Sequence, residues 1–163
     1  MNAIVSVDEN WGIGSNGNLL IKLPQDLLYF KTKTTNTHII LGRKTLETFP
    51  NHEPLPNRTN IILTRDLEYK KENCIICHSL NELFDKIKDI PEDNVFVIGG
   101  SSIYNQLLPF CEKFYVTHLM KKFENVDAYF PNISEMNDIR LCWKSEIITE
   151  KGINYYFAKY ERK

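Results

Sequence analysis

The chain has little of what marks a protein for membranes, nucleic acids or export. No apolar run approaches the roughly 20 residues that span a bilayer, and no basic segment precedes an apolar one at its start. Its formal net charge is -1, so no basic surface for nucleic acid or anionic lipid is expected. We therefore predict a cytoplasmic protein whose partners include neither nucleic acid nor membrane.

Cysteine and glycine are also scarce. The four cysteines are expected to stay reduced in the cytoplasm, so no disulfide is predicted. Only seven glycines occur, and they do not form the G-x-G-x-x-G fingerprint of a dinucleotide-binding turn. Repeats, low-complexity tracts and linkers are absent as well. With 163 residues, of which 42% are hydrophobic, the sequence predicts one domain over residues 1–163.

Six short apolar or β-branched runs predict buried strands. They cover residues 4–7, 39–41, 61–63, 74–77, 95–98 and 113–117. Continuous apolar runs of this length are typical of a parallel sheet that is covered on both faces. Residues 147–149 and 154–160, joined by a turn at Lys151-Gly152, predict a β-hairpin. The predicted fold class is α/β, with a mostly parallel central sheet of about eight strands, an antiparallel C-terminal strand and about four flanking helices.

Signals for helix starts fall between these runs. Pro24 predicts a helix that continues to about residue 34, because proline suits the first helical position. Ser79 and Glu82 have the spacing of a capping box, which predicts a second helix. Ser101 or Ser102 is expected to cap a third helix through its hydroxyl group.

The two longest stretches without such signals are residues 8–23 and 121–138. Both are predicted to be irregular. Long loops in compact domains are often lids over a functional site, and we expect residues 8–23 to close in this way.

Asp26 lies in the first turn of the predicted helix, where an acidic side chain complements the helix dipole without any further function. Its neighbours suggest a second interpretation. Leu27, Phe30 and the apolar residues 19–21 would partly desolvate the carboxylate, and burial raises the pKa of a carboxyl group. Such a carboxylate accepts a bidentate hydrogen bond from a flat heterocycle with an amidine-like edge, while apolar side chains contact the ring faces.

Three predicted strand ends carry groups that bind anions. Leu41 is followed by Gly42-Arg43-Lys44-Thr45, Leu63 by Thr64-Arg65, and Ile98 by Gly99-Gly100-Ser101-Ser102. Backbone N–H groups at glycine turns and helix starts bind phosphate, and Arg and Thr side chains add donors. Because ligands of open α/β sheets gather at the carboxyl ends of strands, the three turns together indicate a dinucleotide site. Each turn alone equally suits an ordinary surface turn.

The segment from Cys74 to His78 matches the C-x-x-C-H pattern of c-type haem attachment. A core strand is the favoured alternative, because the residues form a β-branched run just before the capping box and no export signal is present. A structural zinc site is disfavoured as well, since it needs four ligands and only one histidine is adjacent. The other histidines have no spacing typical of a metal site, and no metal is predicted.

Six motifs between residue 5 and about residue 160 occur in an order that matches one known family. They are Asp8-Glu9-Asn10 with Gly12-Ile13-Gly14, Leu23-Pro24-Gln25-Asp26-Leu27-x-x-Phe30, Leu41-Gly42-Arg43-Lys44-Thr45, Pro54-Leu55-Pro56-Asn57-Arg58-x-Asn60, Val97-Ile98-Gly99-Gly100 with Ile103-Tyr104, and Tyr115-Val116-Thr117. The first resembles the start of the mobile active-site loop of dihydrofolate reductase, bacterial monomeric type. The others resemble its L-P-x-D-L-x-x-F, M-G-R-K-T, P-L-P-x-R-x-N, V-I-G-G-x-x-x-Y and Y-L-T motifs.

This resemblance implies an enzyme that reduces 7,8-dihydrofolate to 5,6,7,8-tetrahydrofolate with NADPH. In that reaction C6 of the substrate receives a hydride and N5 receives a proton. The resemblance also implies a monomer that supports one-carbon and thymidylate metabolism and is a target of antifolates. Asp26 is implied to be the sole carboxylate of the pterin pocket, acting through its charge and by orienting the ring, with water as the proton source. Thr117 is implied to be its hydrogen-bonding partner.

Further substrate contacts follow from the same resemblance. They are Ile4, Val5, Leu27, Phe30, Phe49, Leu55, Arg58, Ile98 and Tyr104. The carbonyl groups of Ile4 and Ile98 are implied to contact the pterin. Arg58 is implied to form a bidentate contact with the α-carboxylate of the glutamate tail, which suits a guanidinium group.

The resemblance implies a cofactor site as well. Its residues are Ser6, Ile13, Leu19, Gly42, Arg43, Lys44, Thr45, Leu63, Thr64, Arg65, Gly99, Gly100, Ser101, Ser102 and Ile103. Thr64 and Arg65 are implied to bind the 2′-phosphate, which favours NADPH over NADH. A cis peptide bond between Gly99 and Gly100 is expected, together with a cofactor-binding subdomain over roughly residues 37–105.

Two positions depart from the family pattern. Ile21 stands where the family usually has a tryptophan whose indole N–H helps to order a water near the carboxylate. Ser6 stands where an alanine is common. Two alternatives are weighed. The first is a binding protein with the same pockets but no turnover, which only Ile21 supports and the intact Asp26 disfavours, and the second is a related reductase of the same fold for a riboflavin-pathway pyrimidine. The second alternative leaves residues 54–58 without an evident use.

Overall fold

The computed structural model describes all residues from 1 to 163. Twelve strands, numbered in chain order, are β1 (Asn2–Val7), β2 (Gly12–Ser15), β3 (Asn18–Leu19), β4 (His38–Gly42), β5 (Thr59–Leu63), β6 (Cys74–Cys77), β7 (Val95–Gly99), β8 (Lys113–Leu119), β9 (Ala128–Tyr129), β10 (Ile139–Lys144), β11 (Ile148–Glu150) and β12 (Ile153–Arg162). Four α-helices are α1 (Pro24–Thr34), α2 (Arg43–Leu46), α3 (Leu80–Ile87) and α4 (Ser101–Leu107). None of these helices has the length and apolar character that crossing a bilayer requires.

The main sheet follows the order β10-β12-β8-β1-β7-β4-β5-β6, and β11 pairs with β12 beside this path. From β8 to β6 all neighbouring strands are parallel, whereas β12 is antiparallel to both β8 and β10. The predicted fold class is therefore confirmed, including the antiparallel C-terminal strand. That strand does not form the edge, because β10 covers it.

The six predicted strands and the terminal hairpin are all present, but β10 was not predicted. Apolar residues alternate along it, at Ile139, Leu141 and Trp143, but this short period was not used for the prediction. In the structure only Ile139 is buried, and the other five residues are exposed. Its pairing with β12 alone defines it.

The residues predicted to be irregular form a second, smaller sheet in the order β3-β2-β9. The β2–β3 hairpin lies within residues 8–23, and β9 comes from residues 121–138. Asp8, only 2% exposed, accepts hydrogen bonds from the backbone N–H groups of Asn10, Gly12 and Phe123. The prediction of irregular loops was wrong here, because strands of two to four residues are too short to show a period.

The buried strands divide the core between the two faces of the main sheet. Ile40, Ile61 and Val97 belong to the larger cluster, which α3 and α4 cover. Ile39, Leu41 and Ile62 belong to a separate cluster on the other face. Side chains alternate between faces along a strand, so each strand contributes to both clusters. This arrangement explains the continuous apolar runs in the sequence.

The helix boundaries follow local signals with one correction. Ser79 caps α3, since its hydroxyl accepts from the N–H of Glu82, while the Glu82 carboxylate accepts from the N–H of His78. The residue that caps α4 is Gly100, without a side-chain hydrogen bond. Neither predicted serine caps this helix, because Ser101 is already its first helical residue and the Ser102 hydroxyl accepts from Gln106.

Candidate active site

Asp26 is held against the sheet by a hydroxyl group. Thr117 on β8 is buried, and its Oγ1 donates to Oδ1 of Asp26 over 2.7 Å. Ser6 on β1 is the register partner of Thr117 on β8, so both side chains lie on the same face of the sheet. The first turn of α1 thus places its carboxylate over two neighbouring hydroxyl groups. The prediction that Asp26 and Thr117 meet is supported by this geometry.

Burial dominates the electrostatics of Asp26. It raises the pKa of the carboxyl group, while hydrogen bonds from Thr117 and Ser6 lower it and the charge of Glu150 raises it further. The net effect is a raised pKa. The carboxylate is therefore more basic than one in water, which favours an ion pair with a protonated or strongly donating ring.

An apolar wall lies beside this carboxylate. Phe30, Phe49, Leu55 and Ile98 are partly buried and pack against the cluster that contains Ile4. Leu27, on the next position after Asp26, is 43% exposed. These residues were predicted to surround the substrate, and the fold brings most of them into one cluster. Val5 and Tyr104 are buried on the opposite side of the sheet, within the larger cluster.

Arg58 lies at the far end of this wall, beside a cavity of about 320 Å³ lined by Asn36, Thr37, Asn57, Arg58 and Thr59. Its Nε donates to Oγ1 of Thr34 over 3.2 Å, and its Nη1 donates to the carbonyl of Pro56 over 2.9 Å. Burial lowers the pKa of this guanidinium. These contacts fix the plane of the group at the mouth of a polar pocket.

Asn60 holds the loop that carries Leu55 and Arg58. Its Oδ1 accepts from the N–H of Leu55, and its Nδ2 donates to the carbonyls of Leu55 and Arg58. The side chain is only 1% exposed, so these bonds are shielded from water. The asparagine in the motif P-L-P-x-R-x-N therefore has a structural role: it keeps Leu55 and Arg58, which are predicted to contact the substrate, in place.

The three predicted phosphate-binding turns lie next to one another. Gly42 at the end of β4 is the register partner of Leu63 on β5, and Leu41 is the partner of Gly99 on β7. The strand ends are adjacent, and a Cβ added to Gly100 would lie 3.4 Å from Oγ1 of Thr45. Ser101 then begins α4, so its backbone faces the same edge. This edge has the form expected of a dinucleotide site.

A side chain at Gly99 would be strained and tightly packed. Its φ is +116°, and an added Cβ would lie 3.1 Å from Cε2 of Tyr104. The peptide bond between Gly99 and Gly100 is cis, as expected. Tyr104 is 5% exposed, and its hydroxyl donates to the carbonyl of Ile4 over 2.6 Å. The turn, the tyrosine and the first strand thus form one packed unit between the two halves of the site.

Charged side chains at this edge are held near the surface. Arg43 forms an ion pair with Glu47 at 3.0 Å, and Lys44 and Arg65 are exposed. Thr64 is partly buried, and its Oγ1 accepts from the N–H of Asp66. Leu63 and Ile103 are buried among apolar neighbours, and Ile103 packs against Gly42. Of the residues in the predicted lid, Ile13 packs against the core, whereas Leu19 is 54% exposed.

Two contacts near the site had no signal in the sequence. The carboxylate of Glu150 accepts from the N–H of Gln25, although 125 positions separate them. His78 Nδ1 forms a 3.0 Å hydrogen bond with the carbonyl of Thr64, across the ends of β6 and β5. Both contacts join segments that only the tertiary fold brings together, so no local pattern indicates them.

The Cys74–Cys77 segment is a strand and not a haem site. Cys77 is fully buried in the larger cluster, whereas Cys74 packs on the other face of the sheet. All four cysteines are free thiols. No group of three or more His, Cys, Asp or Glu side chains is arranged as a metal site.

Ile21 stands at the position where the family usually has a tryptophan, and in the structure it is a packing residue. It is partly buried against Leu23, Leu119 and Tyr155. It adds no hydrogen-bond donor near Asp26. Polar contacts to the carboxylate come instead from the sheet, through Thr117 and Ser6.

Comparison with known proteins agrees with this geometry. A family model described as dihydrofolate reductase matches residues 1–162. This chain belongs to the dihydrofolate reductase family. It is 39% identical to the dihydrofolate reductase of Staphylococcus haemolyticus and 37% identical to that of Bacillus subtilis (strain 168), in each case over 98% of this chain and 93% of the relative.

A solved structure also supports membership of the dihydrofolate reductase family. The dihydrofolate reductase from Enterococcus faecalis, in complex with NADP(H) and RAB-propyl, superimposes with a TM-score of 0.88. The two chains are 33% identical, and the match covers 99% of this chain and 95% of the other. The predicted family is therefore confirmed, and the chain is an enzyme of this family.

Proposed function

We propose that Asp26, held by Thr117, binds and polarises the pterin ring during the reduction of 7,8-dihydrofolate to 5,6,7,8-tetrahydrofolate. The reaction follows from the family: the enzyme uses NADPH, which supplies the hydride that reaches C6, and N5 gains a proton. The observation that carries the proposal is the 2.7 Å hydrogen bond between Thr117 and a desolvated carboxylate beside an apolar wall.

The carboxylate acts through its charge and its orientation. A bidentate hydrogen bond from an amidine-like edge of the pterin to Asp26 would fix the plane of the ring. Phe30 and Phe49 would lie near the p-aminobenzoyl group of the substrate. The negative charge in a poorly hydrated site favours positive charge on the ring and so makes N5 more basic. Water then serves as the immediate proton source, because Asp26 contacts the amidine-like edge of the ring and not N5.

The polar end of the wall suits the glutamate tail of the substrate. We assign its α-carboxylate to Arg58, whose guanidinium is held by Thr34 and the carbonyl of Pro56. The neighbouring polar cavity supports this assignment, because it leaves space for a charged group beside the guanidinium. The apolar section between Arg58 and Asp26 suits the p-aminobenzoyl group.

The cofactor site is assigned to the three adjacent turns. The Gly99-Gly100 turn would lie beside the nicotinamide and the pyrophosphate, because glycine has no Cβ and lets a ligand approach the backbone closely. Arg43, Lys44 and Thr45 suit the phosphates, and Thr64 with Arg65 suits the 2′-phosphate. Residues 37–105 would then form a cofactor-binding subdomain within the single domain, since they contain all of these turns.

Location and assembly are part of the same proposal. We propose that the enzyme works in the cytoplasm, where NADPH and reduced thiols are both available. We also propose that it works as a monomer, because one chain supplies both halves of the site. Sedimentation of the purified protein at micromolar concentration would contradict this last point if it showed a dimer.

The test is a direct assay of NADPH consumption with dihydrofolate, comparing the wild type with Asp26→Asn. We expect the variant to lose on the order of 10²-fold or more of its rate at neutral pH, because the polarising charge is gone. The loss should be smaller at low pH, where N5 of the substrate is already protonated. Asp85→Asn, at an exposed position of α3, is the matched control and should keep the wild-type rate.

Unchanged turnover of Asp26→Asn would refute the role of this carboxylate. Ligand-induced thermal stabilisation of the wild type without NADPH consumption would identify the binding protein that has lost turnover. Replacing NADPH by NADH in the same assay tests the assignment of Thr64 and Arg65, because only NADPH carries the 2′-phosphate.

A further inference from the structure

Helix α1, which carries Asp26, has no side-chain hydrogen bond from its own N-cap residue. The N-cap residue is Leu23, which offers no side-chain acceptor, and Pro24 has no N–H. The N–H of Gln25 donates instead to both carboxylate oxygens of Glu150, at 3.2 and 3.3 Å. A residue from the terminal hairpin therefore caps the helix that presents Asp26.

Glu150 is itself held in place. It is the last residue of β11, and its Oε1 accepts from the hydroxyl of Tyr155 over 3.1 Å. Tyr155 is fully buried, so this bond is anchored in the core. The next residue, Lys151, donates from Nζ to the carbonyl of Lys22 over 2.8 Å. The hairpin thus contacts the chain on both sides of Pro24.

Glu150 also affects the site electrostatically. Its charge raises the pKa of Asp26, in the same direction as burial. The other titratable groups that face Asp26 are Tyr29 and Tyr155, and the pKa of each is raised to about 12. Both tyrosines are therefore uncharged at neutral pH. Lys151 lies close by, but neither it nor Lys22 forms an ion pair with either carboxylate.

We infer that Glu150 is a positioning residue for the reduction: it caps the helix that holds Asp26 and adds negative potential to the pterin site. The inference rests on the proposed function of Asp26. The two effects need different chemistry, because any hydrogen-bond acceptor can cap the helix but only an ionised carboxylate supplies the charge. Substitutions at position 150 can therefore separate them.

The experiment compares Glu150→Gln and Glu150→Ala with the wild type through the pH profile of kcat/KM for dihydrofolate. Glutamine keeps an acceptor for the N–H of Gln25 and removes the charge. We expect it to lower the pKa that governs the profile, since a nearby negative charge is gone, and to change KM by less than about twofold. Alanine should lower the same pKa and also raise KM by about 3- to 10-fold, because the cap is lost.

Two further variants complete the design. Glu135→Gln, at an exposed position in the 3-10 turn Ile133–Glu135, is the control and should leave both the pH profile and KM unchanged. Tyr155→Phe removes the hydroxyl that orients Glu150, and we expect a KM between those of Glu150→Gln and Glu150→Ala. If Glu150→Ala folds poorly by circular dichroism, Glu150→Gln and Tyr155→Phe still test the inference.

Wild-type pH profiles and KM values in both Glu150 variants would overturn the inference. If Asp26→Asn still abolished turnover in that case, the proposed function would stand and only the role of Glu150 would fail. Unchanged turnover of Asp26→Asn would instead refute the proposed function, whatever the Glu150 variants showed.

Discussion

Asp26 and Arg65 show how differently the two halves of the site are built. Asp26 accepts a hydrogen bond from a buried hydroxyl and is flanked by apolar side chains. Glu150, from another part of the chain, caps the helix that carries it. Arg65 is exposed on a turn, and the nearby Arg43 is paired with a glutamate at the surface. Contacts within the chain fix the carboxylate of one half, whereas the other half offers cations at the surface.

The difference reflects the two ligands. A flat ring needs a fixed carboxylate in a poorly hydrated environment, because direction and low dielectric both strengthen its hydrogen bonds. Phosphates carry full charges and are bound well by backbone N–H groups and mobile cations. Substitutions on the pterin side should therefore have larger, salt-independent effects, whereas those on the dinucleotide side should be smaller and sensitive to ionic strength.

After Asp26→Asn, the largest effect is expected from Thr117→Val, which keeps the side-chain shape and removes the hydrogen bond to Asp26. We expect kcat/KM for dihydrofolate to fall by about 10- to 100-fold, as for the loss of a hydrogen bond to a charged group. The pKa governing the pH profile should rise, because one group that lowers the pKa of Asp26 is gone. Thr35→Val, which removes an exposed hydroxyl that donates to the carbonyl of Lys31, serves as the control and should keep the wild-type kcat/KM. A strong dependence of the Thr117→Val effect on salt would contradict the contrast between the two halves.

A smaller effect is expected from Arg65→Gln on the dinucleotide side. KM for NADPH should rise by about 10-fold, whereas KM for NADH should change by less than about twofold, since only NADPH has the 2′-phosphate. Raising the salt concentration should shrink the difference between the variant and the wild type. Arg140→Gln on the exposed strand β10 is the control. Equal effects on both dinucleotides would remove Arg65 from the 2′-phosphate site.

The smallest effect concerns stability. A carboxyl group whose pKa is higher in the folded state favours folding below its unfolded pKa, and this contribution is lost as the pH rises through the folded value. Asp26 has such a raised pKa, so its ionised form costs stability at neutral pH. Asp26→Asn should therefore raise the thermal midpoint at pH 7 by about 2–4 °C, and Arg65→Gln should leave it unchanged. A lower midpoint for Asp26→Asn by differential scanning calorimetry would contradict this account.

Much of the main sheet could be predicted from the sequence, because each of its central strands is a continuous apolar run that feeds both faces of the core. The strand β10 was missed although Ile139, Leu141 and Trp143 alternate with other residues along it, and in the fold five of its six residues are exposed. The small sheet was missed for a different reason. Its strands have only two to four residues, which is too short to show a period. The Asp8 carboxylate holds them by accepting hydrogen bonds from the N–H groups of Gly12 and Phe123, and no local pattern predicts these bonds.

The same distinction applies to the site. Asp26, Thr117 and Arg58 were indicated by motifs, and the fold gives each of them neighbours that suit the predicted role. Glu150 was not indicated, because its contact with Gln25 depends on how the terminal hairpin meets α1. Long-range contacts of this kind depend on tertiary packing, to which periodicity and capping rules do not apply.

The smaller sheet has a consequence for how the cleft opens. Strand β2 is bonded to β3 on one side and to β9 on the other, so residues 12–19 cannot swing outward by themselves. For residues 12–19 to move outward, either the pairing of Gly12 and Gly14 with residues 128–129 must break, or β2, β3 and β9 must move together. If residues 8–23 close over the site as predicted, ligand entry and product exit would be coupled to a stretch of chain more than a hundred positions away, which contributes no side chain to the chemistry proposed above.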